Sequence, residues 1–263
     1  RTGLNEAVLA ELAAEIVRQD VDFMLYPGDL VHGVRVTPEQ FEQQLWTWVN
    51  VMRPVYDAGI GVYVCRGNHE VGDVWELGPG EHPDPLDNHA LRWLHVFGNE
   101  AYGELMLPDD SPAGEEHMTY AFVHKNALIV ALDQYAGARH RVVHRVNQPW
   151  LDERLDRNDQ PHVFVFGHEP AFRTYHYDCL DAWPAARDAL WESIKGAGGR
   201  TYFCGHDHYY DHTVVDDRDG MPGNDVHQLI IATAGAPFYT WEPPYSGDNS
   251  YFVPRQLFHI TRY

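Results

Sequence analysis

Residues 61–70 read GVYVCRGNHE, a short apolar run that ends directly in a polar loop. The run from Gly61 to Cys65 has the composition of a buried parallel strand. The same pattern recurs at residues 21–29 (VDFMLYPGD), 163–169 (VFVFGHE) and 201–208 (TYFCGHDH). Because helical patterns lie between these runs, the sequence predicts an α/β fold whose strands end in polar loops.

The rest of the chain supplies the other elements of this fold. Thr37 and Pro38 predict the start of a helix, as an N-cap followed by proline in the first turn. Residues 118–123 and 127–132 predict a hairpin. Further helices are predicted near residues 5–18, 89–97, 150–157 and 185–195, and two late strands at 229–232 and 256–261. No repeat or linker divides the 263 residues, so we predict a single domain.

Composition limits the classes of partner. The formal charge of −20, without a long Lys/Arg run, argues against nucleic acid as a ligand. Cys65, Cys179 and Cys204 lack the spacing of metal ligands, and we expect buried thiols. No stretch of about eighteen apolar residues is present, so no membrane span is expected. The sequence starts at Arg1, without a visible signal peptide, and leaves the compartment undetermined.

Each of the four apolar runs is followed by side chains that can bind a metal ion. Ligands in open α/β sheets collect beyond the carboxyl ends of the strands, so these loops should converge. A carboxylate, an amide oxygen and several imidazoles suit zinc, manganese or iron. With 17 histidines some pairs arise by chance, but an ordered set at strand ends is far more specific. The candidates are Asp29, Asn68, His69, His168, His206 and His208.

The order of these motifs resembles the signature of the calcineurin-like metallophosphoesterase family. The resemblance spans residues 21–208 and implies a double β-sandwich flanked by helices, with two metal ions at the end of the sheets. The matching motifs are Gly28-Asp29, Gly67-Asn68-His69-Glu70, Gly167-His168 and Gly205-His206-Asp207-His208.

Carried over by position, the resemblance assigns a role to each candidate. Asp29 would bridge two divalent or trivalent ions, and His69 would be the catalytic histidine beside the leaving group. Asn68, His168 and His206 would complete one metal site, and His208 would bind the other ion. The resemblance leaves the identity of the ions open among manganese, iron and zinc.

One departure from the family pattern concerns the start of the chain. The family opens with an Asp-x-His motif on its first strand, and no such motif precedes Asp29. We therefore expect residues 1–263 to be one metallophosphoesterase domain that lacks its first strand, truncated at its N-terminus. The alternative is a protein that has lost one metal ion.

The function implied is hydrolysis of a small phosphomonoester or phosphodiester. A hydroxide bridging the two ions would attack in line, and His69 would assist the leaving group. One alternative is a non-catalytic scaffold of the same fold that binds a partner; another is a nuclease. The oligomeric state is left open.

Several further residues have weaker indications of a role. His32 contacts substrate or His69, or is an ordinary loop histidine. Arg139 and His140, in a basic cluster with His144 and Arg145, bind phosphate or pair with nearby acids. Tyr239, in a late aromatic loop with Phe238, Trp241 and Tyr245, stacks on the substrate or packs on the sheets. Asp207 and Glu70 either orient neighbouring imidazoles or are solvated loop acids.

Overall fold

The computed structural model describes residues 2–71, 88–135, 143–232, 234–240 and 256–260. The helices in these ranges are α1 (Glu6–Gln19), α2 (Pro38–Asp57), α3 (Asn88–Phe97), α4 (Gln148–Asp156) and α5 (Pro184–Gly196). The strands are β1 (Phe23–Tyr26), β2 (Gly61–Val64), β3 (Tyr120–His124), β4 (Ala127–Leu132), β5 (His162–Gly167), β6 (Thr201–Cys204), β7 (Tyr210–Asp216), β8 (Val226–Ile231) and β9 (Gln256–Ile260).

The strands form two sheets. β1 and β2 pair in parallel, and the second sheet has the order β3-β4-β5-β6-β8-β7-β9. Within it β4, β5, β6 and β8 run parallel, while β3 and β7 are antiparallel to their neighbours. Parallel strands put their carboxyl ends at the same edge, so the loops after β5 and β6 emerge side by side.

The core lies on both faces of the larger sheet. Along β4, Ile129 and Ala131 join a cluster with Trp48 of α2, whereas Leu128 and Val130 join a second cluster on the opposite face. The first cluster also holds buried residues of α1, α3 and β2, and the second holds those of α4 and α5. This alternation follows from the two-residue period of a strand buried on both sides. The predicted α/β class, with two sheets flanked by helices, is confirmed.

The predicted helix start at Thr37 is confirmed and includes a full capping box. The hydroxyl of Thr37 accepts the backbone N–H of Gln40, and the amide oxygen of Gln40 accepts the N–H of Thr37. This exchange satisfies two of the donors that a helix leaves open at its first turn.

Strand β7 was missed by the sequence patterns. Its buried side contains Asp211, Thr213 and Val215, so two of the three inward side chains are polar. The Thr213 hydroxyl donates to the carboxylate of Asp211 at 2.7 Å, which makes burial of that polar pair acceptable. A strand with a polar buried face has no hydrophobic period to detect.

In the described part of the chain, β1 pairs with β2 alone. Its other edge borders an apolar cavity of about 200 Å³ that Leu9 and Leu12 of α1 and Ile231 of β8 help to line. None of the described helices has the length and apolar character needed to cross a bilayer.

Candidate metal centre

The loops after β1 and β6 contain ligand candidates in a left-handed backbone conformation. Asp29 has φ = 54° and His206 has φ = 68°, values that side chains with a Cβ atom adopt rarely. Gly28, before Asp29, has φ = 83°, and a Cβ atom there would lie 2.8 Å from the ring of His168. Such backbone outliers cluster at functional sites, where the surrounding structure holds them in place.

Four of the predicted ligands converge at the edge of the sheets. Nε2 of His168 lies 3.0 Å from Oδ1 of Asn68, 3.2 Å from Nδ1 of His206 and 3.3 Å from Oδ2 of Asp29. Nδ1 of His206 is also 3.2 Å from Oδ1 of Asn68. These residues come from the loops that follow four strands, β1, β2, β5 and β6, so the convergence depends on the whole fold.

Second interactions fix the ring orientations. Nδ1 of His168 lies 2.7 Å from the carbonyl oxygen of Pro27, which only accepts, so Nδ1 carries a proton and Nε2 faces the cluster. Nδ1 of His206 faces the cluster, while its Nε2 lies 3.5 Å from a carboxylate oxygen of Asp178 without a hydrogen bond among the described residues. A ring held through one nitrogen so that the other is free to bind is the usual arrangement of a metal-binding histidine.

The charges in the cluster favour a bound cation. Burial lowers the pKa of His168, but the neighbouring carboxylate of Asp29 outweighs this effect and raises the pKa to about 9. Burial raises the pKa of Asp29, but the imidazoles of His168 and His69 lower it well below its usual range. The position between the four side chains thus attracts positive charge, from a proton or from a metal ion, and the two compete.

The spacing of the four donor atoms fits a metal ion. Nitrogen and oxygen donors about 2.0–2.2 Å from a cation lie roughly 3.0–3.5 Å from their neighbours in octahedral or tetrahedral geometry. Nε2 of His168 lies within that range, 3.0–3.3 Å, from donor atoms of Asn68, His206 and Asp29. The 3.2 Å between His206 and Asn68 also falls in the range. The mixed oxygen and imidazole donor set suits manganese, iron or zinc.

Glu70 connects two of the ligand loops. Its buried carboxylate accepts the backbone N–H groups of Asp29 at 2.8 Å, Val31 at 3.1 Å and Gly67 at 2.7 Å. Burial raises the pKa of Glu70 to about 7, and the charge of Asp29 adds to the rise. The expectation that Glu70 is a solvated loop acid is wrong. The described hydrogen bonds of its carboxylate go to backbone N–H groups rather than to an imidazole.

Gln134 holds the loop after β5 that carries His168, and it was not among the predicted site residues. Its fully buried amide oxygen accepts the N–H groups of His168 at 2.8 Å and Glu169 at 2.7 Å. Its amide nitrogen donates to the hydroxyl of Tyr202 at 2.6 Å. Nothing in the sequence around Gln134 indicates this role, because the bond spans 34 residues.

His69 lies at the edge of the cluster, next to His32. Its Nε2 is 3.9 Å from Oδ2 of Asp29, and its backbone N–H donates to Oδ1 of Asp29 at 3.1 Å. Its Nδ1 lies 2.5 Å from the carbonyl oxygen of His32, and the two rings meet edge to face at 5.4 Å. Of the alternatives for His32, the structure shows the contact with His69.

His208 lies outside the group of four. Its Nδ1 is 2.9 Å from the carbonyl oxygen of Pro237, and its ring stacks on Tyr239 at 4.2 Å between centroids. His208 nevertheless lines the same cavity as Asp29. Tyr239 is thus packed against a predicted ligand, on the outer side of the cluster.

Asp207 and His176 form a support that the sequence did not reveal. The buried carboxylate of Asp207 accepts the N–H groups of Tyr175 and His176 and faces Nδ1 of His176 at 2.7 Å. The ring of His176 then packs on that of His206, with centroids 4.4 Å apart. Asp207 therefore orients an imidazole, but that of His176 rather than of its sequence neighbours.

A cavity of about 950 Å³ opens beside the cluster. Its lining includes Asp29, His32, Arg35, His69 and His208, together with apolar side chains. This volume is in the range of sites that enclose small organic ligands. Arg139 and His140, predicted to contact substrate, lie outside the described residues.

The chain belongs to the calcineurin-like phosphoesterase family, whose family model matches residues 4–210. The resemblance seen in the sequence is thereby confirmed. A comparison with curated proteins finds no match.

Solved structures share the fold at low identity. PhoD has a TM-score of 0.63 and 12% identity, and the match covers 89% of this chain and 54% of that one. Purple acid phosphatase PPD1 from yellow lupin (Lupinus luteus) seeds has a TM-score of 0.58 and 14% identity, with coverages of 92% and 42%. A dimetal phosphatase from Danio rerio, LOC 393393, has a TM-score of 0.58 and 16% identity, with coverages of 88% and 79%. The chain thus spans about half the length of the first two, and at these identities the likeness shows the fold.

Proposed function

We propose that this protein is a metal-dependent hydrolase of phosphate esters. The observation that carries the proposal is the convergence of Asn68, His206 and Asp29 on His168, whose Nε2 lies 3.0–3.3 Å from a donor atom of each. Membership of the calcineurin-like phosphoesterase family supports the reaction class. The neighbouring cavity supplies the space that an ester substrate needs.

In this proposal the four residues would hold one ion, and Asp29 would also be a ligand of a second. Asp29 suits the shared position because a carboxylate offers two anionic oxygens. His208 is the proposed donor to the second ion, since it lines the same cavity as Asp29 and lies outside the group of four. When bound, such ions polarise a phosphoryl oxygen and supply a nucleophile at neutral pH.

His69 is proposed as the general acid that protonates the departing oxygen. Its Nδ1 donates to the carbonyl oxygen of His32, which leaves Nε2 as the nitrogen that gains and loses a proton. Nε2 lies 3.9 Å from the Asp29 carboxylate, so the acid and the proposed shared ligand are neighbours. An imidazole N–H beside the departing oxygen can protonate it as the ester bond breaks.

The lining of the cavity supports an ester with a modest organic group as the substrate. Leu30, Val31 and Val34 give one wall an apolar character, while His32 and Arg35 supply polar and positive groups. Such a lining suits an apolar or aromatic alcohol carrying phosphate. The same space accommodates a phosphomonoester or a small phosphodiester, and the test below includes both.

The test measures hydrolysis of p-nitrophenyl phosphate and bis(p-nitrophenyl) phosphate, with added manganese or zinc and after chelation. We expect turnover that chelation abolishes and metal restores. His168→Asn should remove it, whereas His162→Asn, an exposed histidine at the other end of β5, should leave it unchanged. Full turnover by the chelated protein would overturn the proposal.

The role of His69 has its own readout. His69→Ala should lower kcat by roughly 10²–10⁴ and leave the metal content unchanged. Turnover equal to that of the parent would remove His69 from the mechanism. Metal bound at full occupancy without hydrolysis of either ester would favour the scaffold alternative, and salt-sensitive DNA cleavage would favour the nuclease.

A further inference from the structure

The hairpin between β7 and β8 holds a cluster of aspartates far from the metal centre. Residues 216–225 read DDRDGMPGND. β7 starts two residues after His208 and runs for seven residues to Asp216, which places the hairpin roughly 20 Å from the ligand loops. The cluster is therefore separate from the proposed catalytic ions.

Three carboxylates of this hairpin converge. One oxygen from each of Asp216, Asp217 and Asp225 lies within 4.8 Å of the other two. Like charges repel at such distances, so three carboxylates together need a compensating positive charge.

Lys195 provides part of that charge. Its ammonium group contacts the carboxylate of Asp217 and lies 3.3 Å from that of Asp219. Among the described residues its ion pairs are with these two aspartates. The lysine thus neutralises one side of the hairpin and makes no ion pair with Asp225.

The environment of Asp225 indicates that the hairpin binds a ligand. Only 6% of the residue is exposed, and its Oδ1 is buried without a hydrogen-bond partner among the described residues. A buried carboxylate oxygen without a donor is costly, and proteins usually satisfy it with a hydrogen bond or a cation.

We propose that residues 216–225 form a site for a hard divalent cation, calcium, with Asp216, Asp217 and Asp225 as ligands. Oxygen-only donors suit calcium, magnesium and manganese better than zinc or iron. Calcium accepts six to eight oxygens at about 2.3–2.6 Å, so its donors are spread over as much as about 5 Å. The site would complete its shell with water and backbone carbonyl groups, as calcium sites commonly do.

Asn224, next to Asp225 in the chain, would supply a fourth oxygen. Its Nδ2 donates to Asp219 at 2.8 Å, and its buried Oδ1 has no partner among the described residues. An amide oxygen is a common calcium ligand. The bound ion would tie the end of β7 to the start of β8 and thereby stabilise the larger sheet.

The test is calcium titration by isothermal calorimetry, compared among three chains. His168→Asn serves as the parent, because it weakens the catalytic centre and leaves the hairpin as the main site. Asp225→Asn in that background should remove one equivalent of calcium. Asp57→Asn, a substitution of an exposed aspartate at the end of α2, should bind as the parent does.

Thermal unfolding gives a second readout that a misfolded variant cannot imitate. At calcium 100-fold above Kd, the folding equilibrium of the parent should shift about 100-fold towards the native state, and that of Asp225→Asn should not shift. Without calcium, Asp225→Asn should be the more stable chain, because it no longer buries an unpartnered charge. Equal calcium stoichiometry in the two chains, or no calcium binding by the parent, would overturn the proposal.

Discussion

Replacement of Gln134 by methionine should separate metal binding from general stability. Methionine has nearly the volume of glutamine, so Gln134→Met removes hydrogen bonds without opening a cavity. In the native chain the amide oxygen accepts the N–H groups of His168 and Glu169 at 2.8 and 2.7 Å. Both N–H groups would lose their acceptor in a fully buried position.

The magnitude follows from these two donors. A buried donor that loses its partner costs about 1–3 kcal/mol, so the variant should be destabilised by about 2–6 kcal/mol. The backbone of His168 would also gain freedom, and loss of such a support typically weakens metal binding by about 10–100-fold.

Gln228 provides a matched control. It is also fully buried, and its amide accepts the N–H of Phe172 and donates to the carbonyl of Phe172, both at 2.9 Å. Gln228→Met should therefore cost a similar free energy of unfolding. Phe172 lies four residues beyond His168, so we expect metal affinity to be nearly unchanged.

The assay combines urea unfolding of the metal-free chains with zinc or manganese titration of the folded chains. We expect the two variants to lose similar free energies of unfolding and to differ by at least about tenfold in metal affinity. Equal affinities for Gln134→Met and Gln228→Met would refute the role of Gln134 as a support for His168. Unchanged stability in both variants would refute the cost assigned to a buried donor that loses its acceptor.

Three further predictions concern other parts of the structure. Arg66 and Asp133 form a buried ion pair at 2.5 Å, so Arg66→Met should cost about 3–5 kcal/mol in urea unfolding, and adding Asp133→Asn should recover part of the loss. Burial and the adjacent His212 lower the pKa of His227 below its ordinary 6.5. The free energy of unfolding should therefore fall as the pH drops below 6.5. His227→Gln should flatten that dependence in unfolding curves at pH 5 and pH 8. A Cβ atom at Gly67 would lie 2.1 Å from a carboxylate oxygen of Asp29, a proposed ligand, so Gly67→Ala should weaken metal binding by more than about tenfold in the same titration.

The sequence predicted the fold class and the converging residues because local patterns mark the strands and the polar side chains that follow them. Apolar runs with polar ends revealed the strands before Asp29, Asn68, His168 and His206, and the rule for carboxyl ends of strands then brought the loops together. The assignment of these residues as metal ligands stays a prediction. The family assignment was confirmed independently.

The supporting residues of the site were not predicted because their roles depend on contacts between distant parts of the chain. The bonds of Gln134 to His168 and of His176 to Asp207 join residues more than thirty positions apart, and neither glutamine nor a lone histidine signals such a role. The strand from Tyr210 to Asp216 was hidden because polar side chains occupy its buried face.

The buried thiols allow local unfolding around the site to be measured by chemical labelling. Cys65 and Cys204 directly precede two ligand loops, and burial raises the pKa of both thiols well above the usual range. A thiol-alkylating reagent can reach them only when the surrounding strands separate from the core. The rate of labelling at each cysteine therefore measures how often its ligand loop detaches, and a metal ion that ties the loops together should slow both rates by the same factor.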